Sequence, residues 1–286
     1  MKIVKHYADN KALRDSFNVL AEQTFGLNFE SWYQNGFWKE NYEPYSVVVD
    51  GEVVANVSVN RTDMVYGGSR KKLLQLGTVM TKPECRHRGY IRAIMAEIEK
   101  DFPDVDGVYL FANDSVVEFY PKFGFRKGAE YLYTQEVEQA GENEMVCVPM
   151  TGSEQWQVLA KAMEAGESVS ACAMVDDPGL IFFYVASFMQ ENVFYCERLK
   201  AWAIAELEEG ELLLHNVFAP ENVALDDVIR SFGAGVKRVT LGFAPADKTG
   251  WEAEEYHDED CTFFVKGACF AEFEREHLRI PSLSHA

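Results

Sequence analysis

No run of this 286-residue chain is long and apolar enough to cross a bilayer; the longest, Gly179 to Met189, is too short for a span and reads as buried core. Met1 to Asp9 shows no signal-type apolar segment, so a cytoplasmic protein is expected. Cysteine is sparse. The six (Cys85, Cys147, Cys172, Cys196, Cys261, Cys269) form no close-spaced pair of the kind that holds a metal and no dense framework, which predicts free thiols, a reducing compartment and no metal site. The three-glycine dinucleotide fingerprint and the Gly-Lys-Ser/Thr of a P-loop are both missing. Positive charge is scarce: 27 Lys and Arg stand against 46 Asp and Glu, net −19, which argues against nucleic acid or an anionic membrane as a partner.

What the chain does contain is apolar residues, 48% of the total, enough for more than one packed core. Its length favours two domains, and the charge is uneven. Through position 148 there are 17 basic and 22 acidic residues, a balance of −5, and beyond it 10 and 24, a balance of −14.

The stretch from Leu73 to Phe125 carries the most information. Leu73 to Met80 reads as a buried strand, and Pro83 and a basic turn, Arg86-His87-Arg88-Gly89, follow it. A helix is predicted from Tyr90 to Lys100 with Ile91, Ile94, Met95 and Ile98 on one stripe, then a strand from Gly107 to Asn113. After these come a short helix carrying Phe119-Tyr120 and a close at Phe123-Gly124-Phe125. Strand, turn, helix and strand make a βαβ unit. Between 82 and 92, Lys82, Arg86, Arg88 and Arg92 face one acid, Glu84, so an anion repelled by the whole chain would be drawn to this spot. The unsatisfied N–H groups of a helix start favour phosphate, and Gly89 lets backbone approach it; a basic helix start with no ligand is the bland alternative.

Arg86-His87-Arg88-Gly89-Tyr90-Ile91 resembles the acetyl-CoA loop of the GCN5-related N-acetyltransferase (GNAT) family, [Gln/Arg]-x-x-Gly-x-[Gly/Ala], with Ile91 where a small residue is usual. Asn113 followed by Phe119-Tyr120-Pro121-Lys122-Phe123-Gly124-Phe125 resembles the family's later signature. The resemblance covers about residues 1 to 138. It implies an α/β (α+β) mixed-sheet fold and acetyl-CoA as co-substrate. The backbone of Val79, Met80 and Thr81 would pair with the pantetheine arm, and Arg86, His87, Arg88, Gly89, Tyr90, Ile91 and Arg92 would hold the pyrophosphate. Asn113 would lie beside the pantetheine, and Tyr120 would face the sulfur as general acid or hydrogen-bond donor.

Elsewhere, Asn10 can cap a helix bearing Leu13, Phe17, Leu20 and Ala21. A second helical segment from Phe29 to Trp38 is rich in aromatics. In a GNAT fold it borders the acceptor, so Trp32, Tyr33 and Phe37 are candidate substrate-binding residues, or else simple packing on the sheet. Asp50-Gly51 turns a hairpin from Tyr45 to Val59, and a strand from Glu130 to Thr134 is expected to close the first unit. A connector at 139–153 divides domains 1–140 and 141–286. In the second, the order of elements repeats: a helix from Glu154 to Ala165, strands Ala201–Leu207 and Glu211–Phe218, a helix from Leu225, a strand from Val236, and Cys261–Val265 as the last strand. This reads as a smaller, degenerate GNAT-like unit without a second cofactor, since Glu221-Asn222-Val223-Ala224 replaces the basic turn.

The expected activity is transfer of an acetyl group from acetyl-CoA to the primary amine of a small cationic acceptor, by direct attack in a ternary complex. A non-catalytic acyl-CoA-binding or interaction protein is the alternative. The base is open. The central strand offers Gln75 and Thr78 and no carboxylate, leaving a water relay, an acid from the second unit, or the carboxylate of Ala286. His215 reads as core or edge, and His257-Asp258-Glu259-Asp260 as a solvated loop.

Overall fold

A computed structural model describes residues 2–138, 141–164, 166, 169–175 and 179–285. The chain opens with β1 (Ile3–Val4) and helix α1 (Lys11–Phe25). Asn10 caps α1 by accepting from the Leu13 N–H, and Gly26 ends it at φ 71°. The aromatic segment gives only one short helix, α2 (Glu30–Gln34). In the hairpin β2 (Tyr42–Val49) and β3 (Glu52–Arg61), Asp50 and Gly51 both take positive φ, the turn that matches strand twist. A small hairpin, β4 (Asp63–Tyr66) and β5 (Ser69–Lys71), leads into the central strand β6 (Leu73–Thr81). Helix α3 (Tyr90–Asp101) buries Ile94, Met95 and Ile98, the stripe read from the sequence, and returns the chain to β7 (Gly107–Ala112). The Phe119-Tyr120 region forms two 3-10 turns, Asp114–Val116 and Tyr120–Phe123, where one short helix was expected.

The strands β8 (Arg126–Lys127), β9 (Glu130–Glu136) and β10 (Val146–Cys147) follow, then α4 (Ser153–Met163), β11 (Ala173–Val175) and α5 (Gly179–Ser187). Gln139, Ala140 and Ala165 lie outside the described residues, so the first part of the connector and the expected end of α4 do too. The last elements are β12 (Val193–Cys196), β13 (Ala201–Glu208), β14 (Glu211–Phe218), α6 (Leu225–Arg230), β15 (Arg238–Leu241), β16 (Glu252–Tyr256), β17 (Thr262–Lys266) and α7 (Phe270–Arg275).

Among the described residues these strands form two seven-stranded mixed sheets and one three-stranded sheet. The first runs β1-β2-β3-β6-β7-β17-β8 and the second β10-β12-β13-β14-β15-β9-β16. Position by position the pair orientations agree, with one parallel pair each, β6 with β7 and β14 with β15. The mixed α/β class and a second sheet with the same sequence of pair orientations are thus features of the molecule. Two strand assignments need correction. β9 does not close the first sheet but pairs with β15 and β16 in the second. Conversely, the strand at Cys261–Val265 joins the first sheet, antiparallel to β7. Each sheet therefore borrows a strand from the other half of the chain. The apolar faces explain why this is stable: Tyr133 of β9 is buried in the core around β14 and β15, and Phe264 of β17 packs beneath α3 with Leu110 and Tyr120.

The two sheets share one more detail. Each carries an extra residue on the strand that enters the parallel pair, at Thr78–Val79 in β6 and at His215 in β14. His215 is buried, its Nδ1 2.8 Å from Ser282 Oγ and its Nε2 2.8 Å from Glu206 Oε1.

Candidate active site

The site follows from where β6 and β7 part. Their parallel pairing ends at Leu76 opposite Leu110, yet β6 continues to Thr81. From Gly77 onward one edge of β6 therefore has no strand beside it. Thr78 takes φ 44°, and the bulge is held from the β3 side: Asn56 Nδ2 donates to Thr78 O at 3.0 Å, and Thr78 Oγ1 donates to Ser58 Oγ at 2.6 Å. Tyr42 OH adds a bond to each hydroxyl, 2.9 Å to Ser58 and 3.0 Å to Thr78. These buried bonds fix the strand in a bent course, so the open edge is built rather than frayed. Val79 and Thr81 are half-buried along it, while Met80 points into the aromatic core formed by α1 and α2.

The basic turn sits beyond the end of this edge. A 3-10 turn at Pro83–Cys85 leads to His87 at φ 61° and Gly89 at φ 77°, both left-handed. No side chain caps α3, so the N–H groups of its first turn at Tyr90, Ile91 and Arg92 point outward with the positive end of the helix dipole. A Cβ on Gly89 would meet nothing within 4 Å; the glycine is demanded by φ and leaves open space over the helix start. Arg88 donates to Glu84 O at 2.9 Å, and the Arg92 guanidinium lies 5.7 Å from the Phe123 ring. Lys82 pairs with Glu52, but Arg86, Arg88 and Arg92 have no carboxylate partner among the described residues. The arrangement can hold an anion at one end and an amide-bearing chain along the strand edge.

Tyr120 is 4% exposed, edge-on to Phe119 and near Phe264, and its hydroxyl makes no hydrogen bond with another described residue. Burial pushes its pKa up to about 12, so it is a donor throughout the working pH range. Asn113 is exposed at the end of β7. Its Nδ2 donates to Asp260 Oδ2 at 3.2 Å, while the Asp114 N–H donates to Asp260 Oδ1 at 2.9 Å. The loop at His257–Asp260 is exposed, as read from the sequence, and the borrowed strand β17 brings its Asp260 onto Asn113 and Asp114. Asp258, Glu130, Asp260 and Asp114 surround Cys261, whose thiol is pushed up to about 11 by burial and by these carboxylates.

The three aromatic candidates are not gathered in an open pocket. Trp32 is buried, with its indole N–H donating to Gly179 O at 2.8 Å, and Phe37 stacks on Phe182 with centroids 4.2 Å apart. Both join α2 to α5. Tyr33 donates to Asp9, and the Arg14 guanidinium lies over the Tyr33 ring, 3.7 Å from its centre. What sequence reading missed came from the other half: Asp260, Tyr184 of α5 and His285. Tyr184 OH donates to His285 O at 2.7 Å, and the His285 ring stacks on Phe111 of β7 at 3.7 Å, with burial pushing its pKa down to about 3. Ala286 lies outside the described residues. In the second sheet, the place matching the open edge is filled by the chain itself, where the Ser282 N–H donates to Gly242 O at 2.7 Å.

Residues 9–128 match the sequence profile of the acetyltransferase (GNAT) domain. No curated protein matches the chain. Among solved structures, it resembles a conserved protein of unknown function, a probable N-acyltransferase, from Enterococcus faecalis at TM-score 0.61 and 15% identity, over 93% of this chain and 71% of that one. It also resembles Eis1 of Mycobacterium abscessus (0.57, 14%, 92% and 73%) and a GCN5-related N-acetyltransferase of Kribbella flavida (0.54, 18%, 92% and 70%). At such identities the likeness speaks to fold. Among the described residues, no helix is long and apolar enough to cross a membrane, and no group of His, Cys, Asp and Glu could hold a metal ion.

Proposed function

We propose that this chain, whose residues 9–128 form a domain of the acetyltransferase (GNAT) family, transfers an acetyl group from acetyl-CoA to the primary amine of a small cationic acceptor. The observation that carries the reading is the open edge of β6 running up to an uncapped, cationic helix start, with the unpartnered Tyr120 hydroxyl alongside. Acetyl-CoA supplies an activated thioester. The N–H and C=O groups of Val79, Met80 and Thr81 fit its pantetheine amides, and one N–H there can polarise the acetyl carbonyl. The turn from Arg86 to Arg92, with His87, Gly89, Tyr90 and Ile91, fits the pyrophosphate. Asn113 orients the arm from the far side, although its amide is shared with Asp260. Tyr120 donates a hydrogen bond to the sulfur as charge develops there.

The carboxylates of Asp114, Asp258 and Asp260 near Asn113 support a cationic acceptor, since they come from both halves and meet at the end of β7. Burial holds His285 neutral with a very low pKa, and His215 lies in the second sheet, bonded to Glu206 and Ser282. A water held by β6 carbonyls remains the base we favour. The alternative, a non-catalytic acyl-CoA-binding protein, is supported by Gln75 standing where a carboxylate could have served. Incubating the protein with acetyl-CoA and a panel of amines, reading free thiol, separates the two. Release that depends on amine supports transfer, whereas tight acetyl-CoA binding with no release for any amine supports the alternative.

A further inference from the structure

The face of the first sheet opposite α3 carries a row of polar side chains in register: Tyr42 opposite Asn60, Asn60 opposite Gln75, and Gln75 opposite Tyr109. Two hydrogen-bonded networks border the middle of that row. On one side, Tyr42, Ser58, Thr78 and Asn56 satisfy one another. On the other, Tyr109 OH lies 3.1 Å from Thr62 Oγ1 and donates to Ser284 O at 3.3 Å. Between them, Gln75 is 0% exposed with neither Nε2 nor Oε1 bonded, and Asn60 is 2% exposed with Nδ2 unbonded, among the described residues. A buried amide without a partner is rare in native proteins and strongly unfavourable. Two on adjacent strands, side by side, mark a place that awaits a partner.

We propose that the Gln75 and Asn60 carboxamides form the specificity subsite for the acceptor, reading a neutral hydroxyl or amide group on it. The inference rests on the acetyl-transfer reading for its account of why an amine is brought here. Three observations set the ligand's chemistry. The row is neutral, so a charged group would be buried without a counter-charge. A carboxamide both donates and accepts, which suits a hydroxyl or an amide. Gln75 also lies four residues before Val79 on one strand, roughly 13 Å at about 3.3 Å per residue, so the recognised group sits about that far or farther from the reacting carbonyl. The cationic amine would thus meet carboxylates near Asn113, while the acceptor's other end meets amides. Tyr109 OH donates to Ser284 O and Tyr184 OH to His285 O, so residues 284 and 285 lie against the Tyr109 end of the row.

The test uses the full-length protein with CoA and n-alkylamines of graded length, each paired with its ω-hydroxyl and ω-carboxamide counterpart. Thermal shift and calorimetry read binding, and thiol release reads turnover. At one chain length the hydroxyl or carboxamide amine should bind at least about tenfold better than the plain one. Gln75→Met should erase that preference, leave acetyl-CoA affinity unchanged, and raise the Tm of the free protein by about 2 to 6 °C, because an unpartnered amide is removed. A fall in Tm, or loss of the folded state, would mean the amide already has a partner such as a trapped water, and overturns the inference. So does equal binding of plain and polar amines. Preferential binding without thiol release from any amine would instead defeat the transferase reading and leave this subsite standing.

Discussion

Tyr120 shows how far a single residue can be taken. Sequence placed it after Asn113 at a recognisable spacing, and the fold buries its ring among Phe119, Phe125 and Phe264 while its hydroxyl has no partner among the described residues. With its pKa near 12 and a thiol near 8.5, full proton transfer to a leaving thiolate is uphill by about 5 kcal/mol. A hydrogen bond to the sulfur is therefore the role we propose for it. Tyr120→Phe should lower kcat by about 10- to 10³-fold with acetyl-CoA affinity little changed, measured by thiol release and calorimetry. Unaltered kcat would remove Tyr120 from the chemistry. The basic turn makes a separate prediction: replacing Arg86 and Arg88 with Glu should weaken acetyl-CoA binding by at least about 100-fold without lowering Tm, because both side chains are exposed and neither holds a carboxylate among the described residues. Intact affinity would show that the pyrophosphate lies elsewhere. Such residues were legible because short-range patterns carry them: a turn, a helix start, a glycine at positive φ. Asn60 and Gln75 were not, since a polar residue on a strand reveals neither its burial nor whether its partner exists.

At the scale of elements, the strands themselves were legible and their partners were not. The short apolar runs Tyr131–Tyr133 and Phe263–Val265 say that these strands pack into a core, but any sheet with matching apolar faces would satisfy them. The exchange is decided by contacts far apart in sequence. Arg126 of β8 forks onto Glu274 at 2.6 and 2.9 Å, and Lys71 reaches Glu272 of α7 at 2.9 Å. Glu130, at the start of β9, is buried and accepts the Ile280 N–H at 2.8 Å, which ties the borrowed strand to the last segment. Burial pushes its pKa up to about 7, partly offset by Arg279 and by the Ile280 N–H. Because the folded value lies above the unfolded one, the fold favours the protonated acid. No cost arises below about pH 4; a cost grows as pH rises toward 7 and levels off above, at about 3 kcal/mol. Glu130→Gln keeps an acceptor for Ile280 and removes the ionisation. Urea denaturation should show it more stable than the parent at pH 8 by about 1–3 kcal/mol and nearly equal at pH 4.5. A loss of stability at pH 8 would mean the carboxylate is held ionised by a partner.

The whole molecule brings the charge back into the argument. Two sheets of the same order lie in one chain, and the half without the basic turn carries most of the −19. Because β17 crosses into the first sheet, that charge is not remote: Asp258 and Asp260 stand beside Asn113 and Asp114 at the end of β7. A field of this sign should hasten encounter with a cationic amine and slow an anionic one, whereas CoA, on the proposed reading, must reach the cationic turn at Arg86–Arg92 against it. Two salt dependences of opposite sign follow. Raising ionic strength from about 0.01 to 0.15 M shortens the screening length from about 30 to 8 Å, so kcat/KM for a diamine should fall severalfold. Over the same range the association rate of acetyl-CoA should rise or hold, since screening relieves repulsion at a distance more than attraction at the turn. Stopped-flow binding and steady-state rates at matched salt would read both. If kcat/KM for the diamine and for an uncharged-tail amine fall alike, the carboxylates at the end of β7 serve solubility and do not select the acceptor. The charge-reversing variant Asp258→Lys, on the exposed loop outside the cofactor turn, should then be indistinguishable from the parent. A selective drop for the diamine in that variant, with acetyl-CoA association unchanged or faster, is the outcome expected if the second half supplies the acceptor's electrostatic wall.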